Sequence, residues 1–444
     1  MAFGDIRVAQ RADWLIERIA ATGSLVVRTV GETRAGEIAV HRFLSSPHVS
    51  VERIVETLAA RTAAQCAGGR ILAVQDTTEI NFAGRDKKRR DFGPGMNGRD
   101  IGFFIHPVIA VDIASEAVVG LVDAAIWTRP QPRASARRKR PIEDKESMRW
   151  LSGCRAAARS LQQAASVTMV ADRESDLYQL FARRPDGLDL IVRAAQDRKL
   201  ASGGRLFAAL ADAAVLSTGP VRVASRGPGD KGRIAQVALR AGTVRIARPA
   251  HLEDSPDTIE LTLVEAREID PPPGKTPLLW HLLTTHAVAA AAQAQEIVQL
   301  YRMRWRIEQV FRALKSDGLA LDASQIIDAE RMFNLAAAAL AAAIRTIQLV
   351  DARDGSPRPA ADIIDMPGFA VALERLSAKL EGKTARQKNP HAKDSLAFLA
   401  WIAARLGGWN CYYKPPGPKT MRNGWNILAA TLHGYALALE SKNP

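Results

Sequence analysis

The sequence predicts an α/β protein in which a mixed β-sheet carries helices on both faces, an all-β insertion interrupts that core, and helical segments flank it at either end. Two apolar, β-branched runs that end abruptly in acid, Ile71–Asp76 and Val167–Asp172, read as buried strands of the core. Alternating polar and apolar residues between Leu200 and Ile269, broken by Gly203-Gly204 and Gly227-Pro-Gly, read as the insertion. At 444 residues the chain exceeds what a single core usually holds. These signals divide it into 1–68, helical; 69–200, the first part of the core; 201–275, the β insertion; 276–353, the second part of the core; and 354–444, helical.

Taken in order, Ser50 is placed to cap a helix that begins at Val51. The first core strand closes at Asp76, ahead of Thr77 and Thr78. Gly102–Asp112 and Ala117–Trp127 read as two strands, and their short separation suggests an antiparallel hairpin. A helix carrying Glu143 to Trp150 follows, then the strand that ends at Asp172, a charged stretch with Glu174 and Asp176, a helical pattern, and a strand ending at Arg193. Glu174 and Asp176 are read as a partner for Arg173 or as first-turn helix charges. Within the insertion, Val237–Arg248 and Ile259–Arg267 alternate as strands. After Pro271-Pro-Pro-Gly274, the segment Thr276–Thr285, with Trp280, rejoins the main sheet. Phe333–Val350 is apolar, but Asn334, Arg345, Thr346 and Gln348 interrupt it, which argues for a buried helix over a membrane span. A Pro-rich joint at Ser356-Pro-Arg-Pro opens the C-terminal helices.

The chemistry concentrates between Tyr301 and Lys315. On one helix, Tyr301, Arg304, Glu308, Arg312 and Lys315 fall within an arc of roughly 80°. One carboxylate among cations can be a solvated ion-pair ladder or a metal site beside phosphates. Trp305 falls off that stripe and reads as core. Asp76 and Asp172, each alone, could be strand-end caps; together with Glu308 they make three carboxylates with separate warrants. Phosphodiester cleavage uses two hard cations about 3.5–4 Å apart to clamp the attacking and leaving oxygens, and magnesium takes carboxylates while keeping several waters. The eight histidines form no H-E-x-x-H, and Cys66, Cys154 and Cys411 lie far apart, so a zinc site is not expected.

The spacing Y-x2-R-x3-E-x6-K over Tyr301, Arg304, Glu308 and Lys315 resembles the signature of the insertion-sequence-four family of cut-and-paste DDE transposases, which includes the transposase of transposon five. Gln75-Asp76-Thr77-Thr78 and Asp172-Arg173-Glu174-Ser175-Asp176 resemble that family's QDTT and DREAD blocks, the second with Ser175 for Ala. Lys145-Glu146-Ser147 with Trp150 resembles its KES…W block, and His41-Arg42-Phe43 through Ser50 resembles an N-terminal one. The resemblance runs over most of the chain. It implies a ribonuclease-H-like core, with Asp76, Asp172 and Glu308 catalytic and holding Mg2+, for which Mn2+ can substitute. It further implies that Tyr301, Arg304, Arg312, Lys315, Arg193 and Trp280 contact DNA, Trp280 by stacking where an end base is flipped. The N-terminal helices would bind transposon ends, on a surface shortened because the chain begins some way into that domain. The C-terminal helices would form the homodimer of a synaptic complex on double-stranded DNA. The implied activity is metal-dependent cleavage at transposon ends, through a hairpin, with strand transfer into target DNA. The alternatives are a non-catalytic DNA-binding relative that inhibits or regulates transposition, and a stand-alone nuclease.

Composition agrees. With 61 Lys+Arg against 47 Asp+Glu, the formal charge is +14, a surplus that attracts polyanions. Much of it is bunched in Arg85–Arg90 and Arg133–Arg140, which read as loops able to meet phosphate. No charged-then-apolar leader opens the chain and its cysteines are few and odd in number, so a cytoplasmic protein associated with the nucleoid, and no membrane, is expected.

Overall fold

The structure, a computed structural model, describes residues 3–82, 89–98, 100–129, 141–223, 232–315, 318–364 and 368–440. The basic run Arg133–Arg140, most of the run Arg85–Arg90, and Gly227-Pro-Gly lie outside the described residues. The chain forms two compact units, one of Met1–Gly68, Thr77–Ala134 and Arg306–Pro444, the other of Gly69–Asp76 and Ser135–Trp305. These units cut across the five spans read from the sequence.

The second unit is built on β1 (Arg70–Gln75), β6 (Ser166–Ala171), β7 (Leu188–Arg193), β8 (Ser217–Val223), β9 (Arg233–Ala247), β10 (Thr258–Glu268) and β11 (Leu279–Thr284), with α5 (Met148–Ser160), α6 (Tyr178–Ala182) and α7 (Ala291–Met303). Its strands run in the order β1-β6-β7-β11-β10-β9-β8. The pairs β1/β6 and β6/β7 are parallel, and every pair from β7/β11 onward is antiparallel. The sheet is therefore mixed. Ile71–Val74 of β1 and Val167–Ala171 of β6 are buried without a break, because a parallel strand covered on both faces has no solvent side to alternate toward. Gln75 Nε2 donates to the Trp150 carbonyl of α5 at 3.2 Å, whereas the next side chain, Asp76, meets Arg304 at the end of α7. Successive side chains of an extended chain point to opposite faces, so α5 and α7 cover opposite faces of this sheet. The inserted strands β8 to β10 do not stand apart; β10 pairs with β11 from Thr262↔Thr284 to Arg267↔Leu279 and carries the same sheet onward.

The first unit contains α1 (Ile6–Thr22), α2 (Val27–Gly31), α3 (Arg34–Leu44), α4 (Val51–Cys66), β2 (Thr78–Asn81), β3 (Gly93–Pro94), β4 (Ile101–Asp112), β5 (Val118–Trp127), α8 (Trp305–Leu314, from its second residue), α9 (Ala329–Ala352), α10 (Phe369–Leu380), α11 (Leu396–Leu406) and α12 (Pro418–Glu440). Ser50 caps α4, its hydroxyl accepting from the Arg53 N–H. The β4/β5 hairpin forms in antiparallel register, with irregularities at Val108/Ile109 and Ala110/Val111. Thr78–Asn81, just past the end of the expected first strand, is a separate strand paired with β4. α9 is long and apolar enough to cross a membrane by composition, yet 78% of its apolar window is buried within the protein. Two of its polar interruptions are satisfied inside: Asn334 Nδ2 donates to the Leu44 carbonyl at 3.1 Å and Gln348 Nε2 to the Val119 carbonyl at 2.5 Å. One element is shorter than expected. Glu143 to Ser147 lie before α5, in a 3-10 turn and a bend, and the α-helix starts only at Met148.

Candidate active site

Strand register sets the site. Continued two residues past its last pair, Val74↔Val170, the parallel β1/β6 register places Asp76 beside Asp172. Continued one residue past Ala171↔Val192, the β6/β7 register places Asp172 beside Arg193, and Arg193 in turn faces Leu282 of β11. The backbone at Asp172 stays extended (φ −88°, ψ −165°). Neighbouring strands lie about 4.8 Å apart, and residues level with each other share a face. Asp76, Asp172 and Arg193 thus form one row at the carboxyl ends of three parallel strands, the edge where loops and ligands of open α/β sheets gather.

Each member of the row has defined partners. Asp76 is almost buried, and its Oδ2 lies 2.5 Å from Arg304 Nη1 at the C-cap of α7. Asp172 Oδ1 accepts the Glu174 N–H at 2.9 Å, capping a short 3-10 turn. Arg193 donates to the Leu279 carbonyl at 3.3 Å, while its Nε is buried without a hydrogen-bond partner. Burial pulls the Arg193 guanidinium below its ordinary value. Tyr301 is buried next to Arg304, Arg193 and Asp172, and burial pushes its phenol up. Trp280 stands two residues along β11 from Leu282, so it shares the face of Arg193; its ring meets Tyr301 edge-on, 5.2 Å between centroids. Five of the residues expected at a DNA site (Asp76, Asp172, Arg193, Tyr301 and Arg304) and the expected stacking residue, Trp280, therefore collect in the second unit.

Glu308, Arg312 and Lys315 belong to the first unit. The stripe they share with Tyr301 and Arg304 in the sequence does not lie on one helix: α7 ends at Met303, the Arg304 N–H bonds back three residues to the Tyr301 carbonyl, and α8 begins at Trp305. Glu308 stands in the first turn of α8 and Arg312 in its last, and Lys315 follows with its N–H on the Phe311 carbonyl. Burial lowers the Lys315 ammonium, against the pull of Glu308, Glu79 and Asp322.

Several expectations are corrected here. Trp305 is not core; it is 40% exposed. Glu174 is a first-turn charge of the 3-10 turn Arg173–Ser175, one of its two expected roles, and its ion pair is with Arg149 at 2.8 Å, not with Arg173. Asp176 is neither a partner for Arg173 nor a first-turn helix charge: it is fully buried against Arg198 at 2.6 Å and accepts the N–H groups of Ala195 and Gln196. Arg304 is paired with the Asp76 carboxylate. Of the first basic run, Arg89 donates to the carbonyls of Ile326 and Ser324, both at 2.7 Å, which gives it a structural role. Arg149, Arg198 and His106, whose Nδ1 lies 2.9 Å from the Thr77 hydroxyl, were not singled out from the sequence. Only the position of Thr77 directly after Asp76 hints at the last of these.

Among the described residues, no group of three or more His, Cys, Asp and Glu stands close enough to hold a metal ion. The donor set at the row is nonetheless of the kind a hard cation takes: two carboxylates set level with each other by the continued register of adjacent strands.

Residues 153–344 match the family model of the transposase DDE domain. The matched stretch takes in Asp172, Arg193, Trp280, Tyr301, Arg304, Glu308, Arg312 and Lys315 and begins after Asp76. The match supports transposase function, and with it an enzyme that acts on DNA.

Proposed function

We propose that this chain is a cut-and-paste DDE transposase of the insertion-sequence-four type, in which Asp76, Asp172 and Glu308 are the catalytic carboxylates. What supports the reading is the register of β1, β6 and β7, which, continued past its last pairs, sets Asp76, Asp172 and Arg193 level at the strand ends. The three carboxylates would hold divalent ions, magnesium or manganese, which when bound supply charge neutralisation at the scissile phosphate and an activated water. The chain's own residues do the rest. Arg193, Arg304, Arg312 and Lys315 hold phosphate oxygens, Arg through paired N–H donors and Lys as a point charge. Tyr301 hydrogen-bonds a phosphate oxygen, and Trp280, braced edge-on by Tyr301, offers a face to an unstacked end base.

Water attack on the scissile bond frees a 3′-hydroxyl at the transposon end. That hydroxyl attacks the opposite strand to close a hairpin and expel the flanking DNA, water reopens the hairpin, and the regenerated 3′-hydroxyl attacks target DNA. The C-terminal helices pair two copies in the synaptic complex. The test is magnesium-dependent cleavage of supercoiled DNA carrying the inverted repeats that flank the gene, with Glu308→Gln beside the wild type. Clean excision lost in Glu308→Gln supports the proposal; a Glu308→Gln protein that cuts at the wild-type rate sinks it, and binding without cleavage in the wild type points to a regulatory relative.

A further inference from the structure

The first unit contains a cleft of about 310 Å³ whose walls include Arg306, Arg312, Arg353, Asp351, Asp354 and Pro418. Its two carboxylates are both engaged. Arg306 Nη1 donates to Asp351 Oδ1 at 2.7 Å, and the other Asp351 oxygen accepts the Val118 N–H at 2.9 Å. Arg353 Nε donates to Asp354, which is 72% exposed and so well screened by water, and Arg353 Nη1 donates to the Pro416 carbonyl at 3.0 Å. A guanidinium carries five N–H donors, so these bonds use only part of each fork. Arg312, on the last turn of α8, is exposed.

The Arg353–Pro416 bond also ties to this cleft the loop 411–417. That loop holds Tyr413 81% and Tyr412 45% exposed, with Lys414 exposed beside them. The Tyr412 hydroxyl is fixed 2.7 Å from the Thr384 hydroxyl, and Cys411 turns the chain with φ at +72°. Arginine forks, tied through Pro416 to a loop that exposes an aromatic and a lysine, suit one ligand chemistry: forks and ammonium on phosphodiesters, the ring on a base. We propose that the cleft and this loop form a DNA contact in which Arg312, Arg353 and Lys414 hold the backbone of a strand and Tyr413 stacks on a nucleotide. Arg306 shapes the cleft by holding Asp351. The proposal rests on the reading of the chain as a DNA-acting enzyme and adds a surface to it.

The experiment is binding of the full chain to a labelled duplex of random sequence with a short single-stranded tail, by fluorescence anisotropy across a KCl titration. Arg353→Ala and Lys414→Ala should each weaken binding about three- to tenfold and flatten the slope of log affinity against log salt by about one. Tyr413→Ala should weaken binding to the tailed duplex by a similar factor of about three to ten while leaving the slope unchanged. Tyr413 and Lys414 are exposed enough for their variants to fold even where Arg353→Ala does not. Wild-type affinity and slope in the Tyr413 and Lys414 variants, with DNA binding by the wild type intact, overturns the cleft alone. A wild type that binds no DNA overturns the DNA-acting reading together with it.

Discussion

Asp76 Oδ2 and Arg304 Nη1 lie 2.5 Å apart, with 12% and 16% of their side chains exposed. The pair joins the end of β1 to the end of α7 across one face of the sheet. It has two consequences, because a nearly buried carboxylate must be either paired with a cation or protonated. Arg304 supplies the guanidinium that Asp76 faces and holds it in place, and it also competes for the oxygen a divalent ion would use.

Removing one partner should be more harmful than removing both. Arg304→Ala removes the guanidinium 2.5 Å from the nearly buried Asp76 Oδ2 and should destabilise the protein by about 3 kcal/mol. Adding Asp76→Asn to Arg304→Ala should recover part of that loss, with a coupling energy of at least about 1 kcal/mol. Urea unfolding of the two single variants and the double variant measures it. Strict additivity would mean that the contact carries no energy.

Magnesium should raise the melting temperature of the wild type in the millimolar range, since an ion bound only by the folded state stabilises it by mass action, about 2.7 kcal/mol at a hundredfold excess over Kd. Asp172→Asn should abolish the shift. Arg304→Ala should show half-maximal shift at lower magnesium, because no guanidinium then has to leave Asp76. A shift of wild-type size in Asp172→Asn would place the ion elsewhere.

The strands and their terminal acids could be read in the sequence for a physical reason: β1 and β6 are covered on both faces, so their apolar runs are unbroken and the first charge marks the sheet edge. Ser50 was legible because a helix cap is a local interaction. The role of Asp176 was not, since it depends on Arg198, which reaches it through tertiary packing around β7. Asp172 and Asp176 look alike in a charged string, and only burial separates them. The break at Arg304 was equally hidden. No Gly or Pro interrupts Tyr301 to Lys315, and the 3.6-residue pattern runs straight through a turn that only the backbone bonds reveal. The β insertion was legible as strands, but its attachment to β11 is a non-local pairing that alternation cannot specify.

The buried pair Asp176–Arg198 gives a prediction that separates structure from chemistry. Asp176→Ala strands a guanidinium that is 7% exposed and frees the N–H groups of Ala195 and Gln196. It should destabilise the fold by about 3–5 kcal/mol. Asp172→Ala, whose carboxylate caps only a 3-10 turn, should cost about 1 kcal/mol. Thermal unfolding of the two variants decides the order, and a larger loss in Asp172→Ala would contradict the roles assigned to them.

The inserted strands add an acid-sensitive element. Glu265 on β10 is buried; burial alone would raise its carboxyl, but hydrogen bonds from His281 and Arg267, with their charges, outweigh it and hold the carboxyl at about 2, against an ordinary 4.5. Arg240 adds a third donor at 3.0 Å, and Phe207 stacks on the His281 ring, 4.6 Å between centroids. Because the folded value is depressed, the stabilisation is fully present above about pH 4.5 and is lost as pH falls toward 2. Its size is at most about 3 kcal/mol, from the energy of a unit pKa shift. Denaturant unfolding at several values between pH 3 and 7 should show the wild type losing stability on the acid side more steeply than Glu265→Gln. Parallel acid limbs in the two proteins would show that the His281–Glu265–Arg267 cluster does not set the acid stability of this sheet.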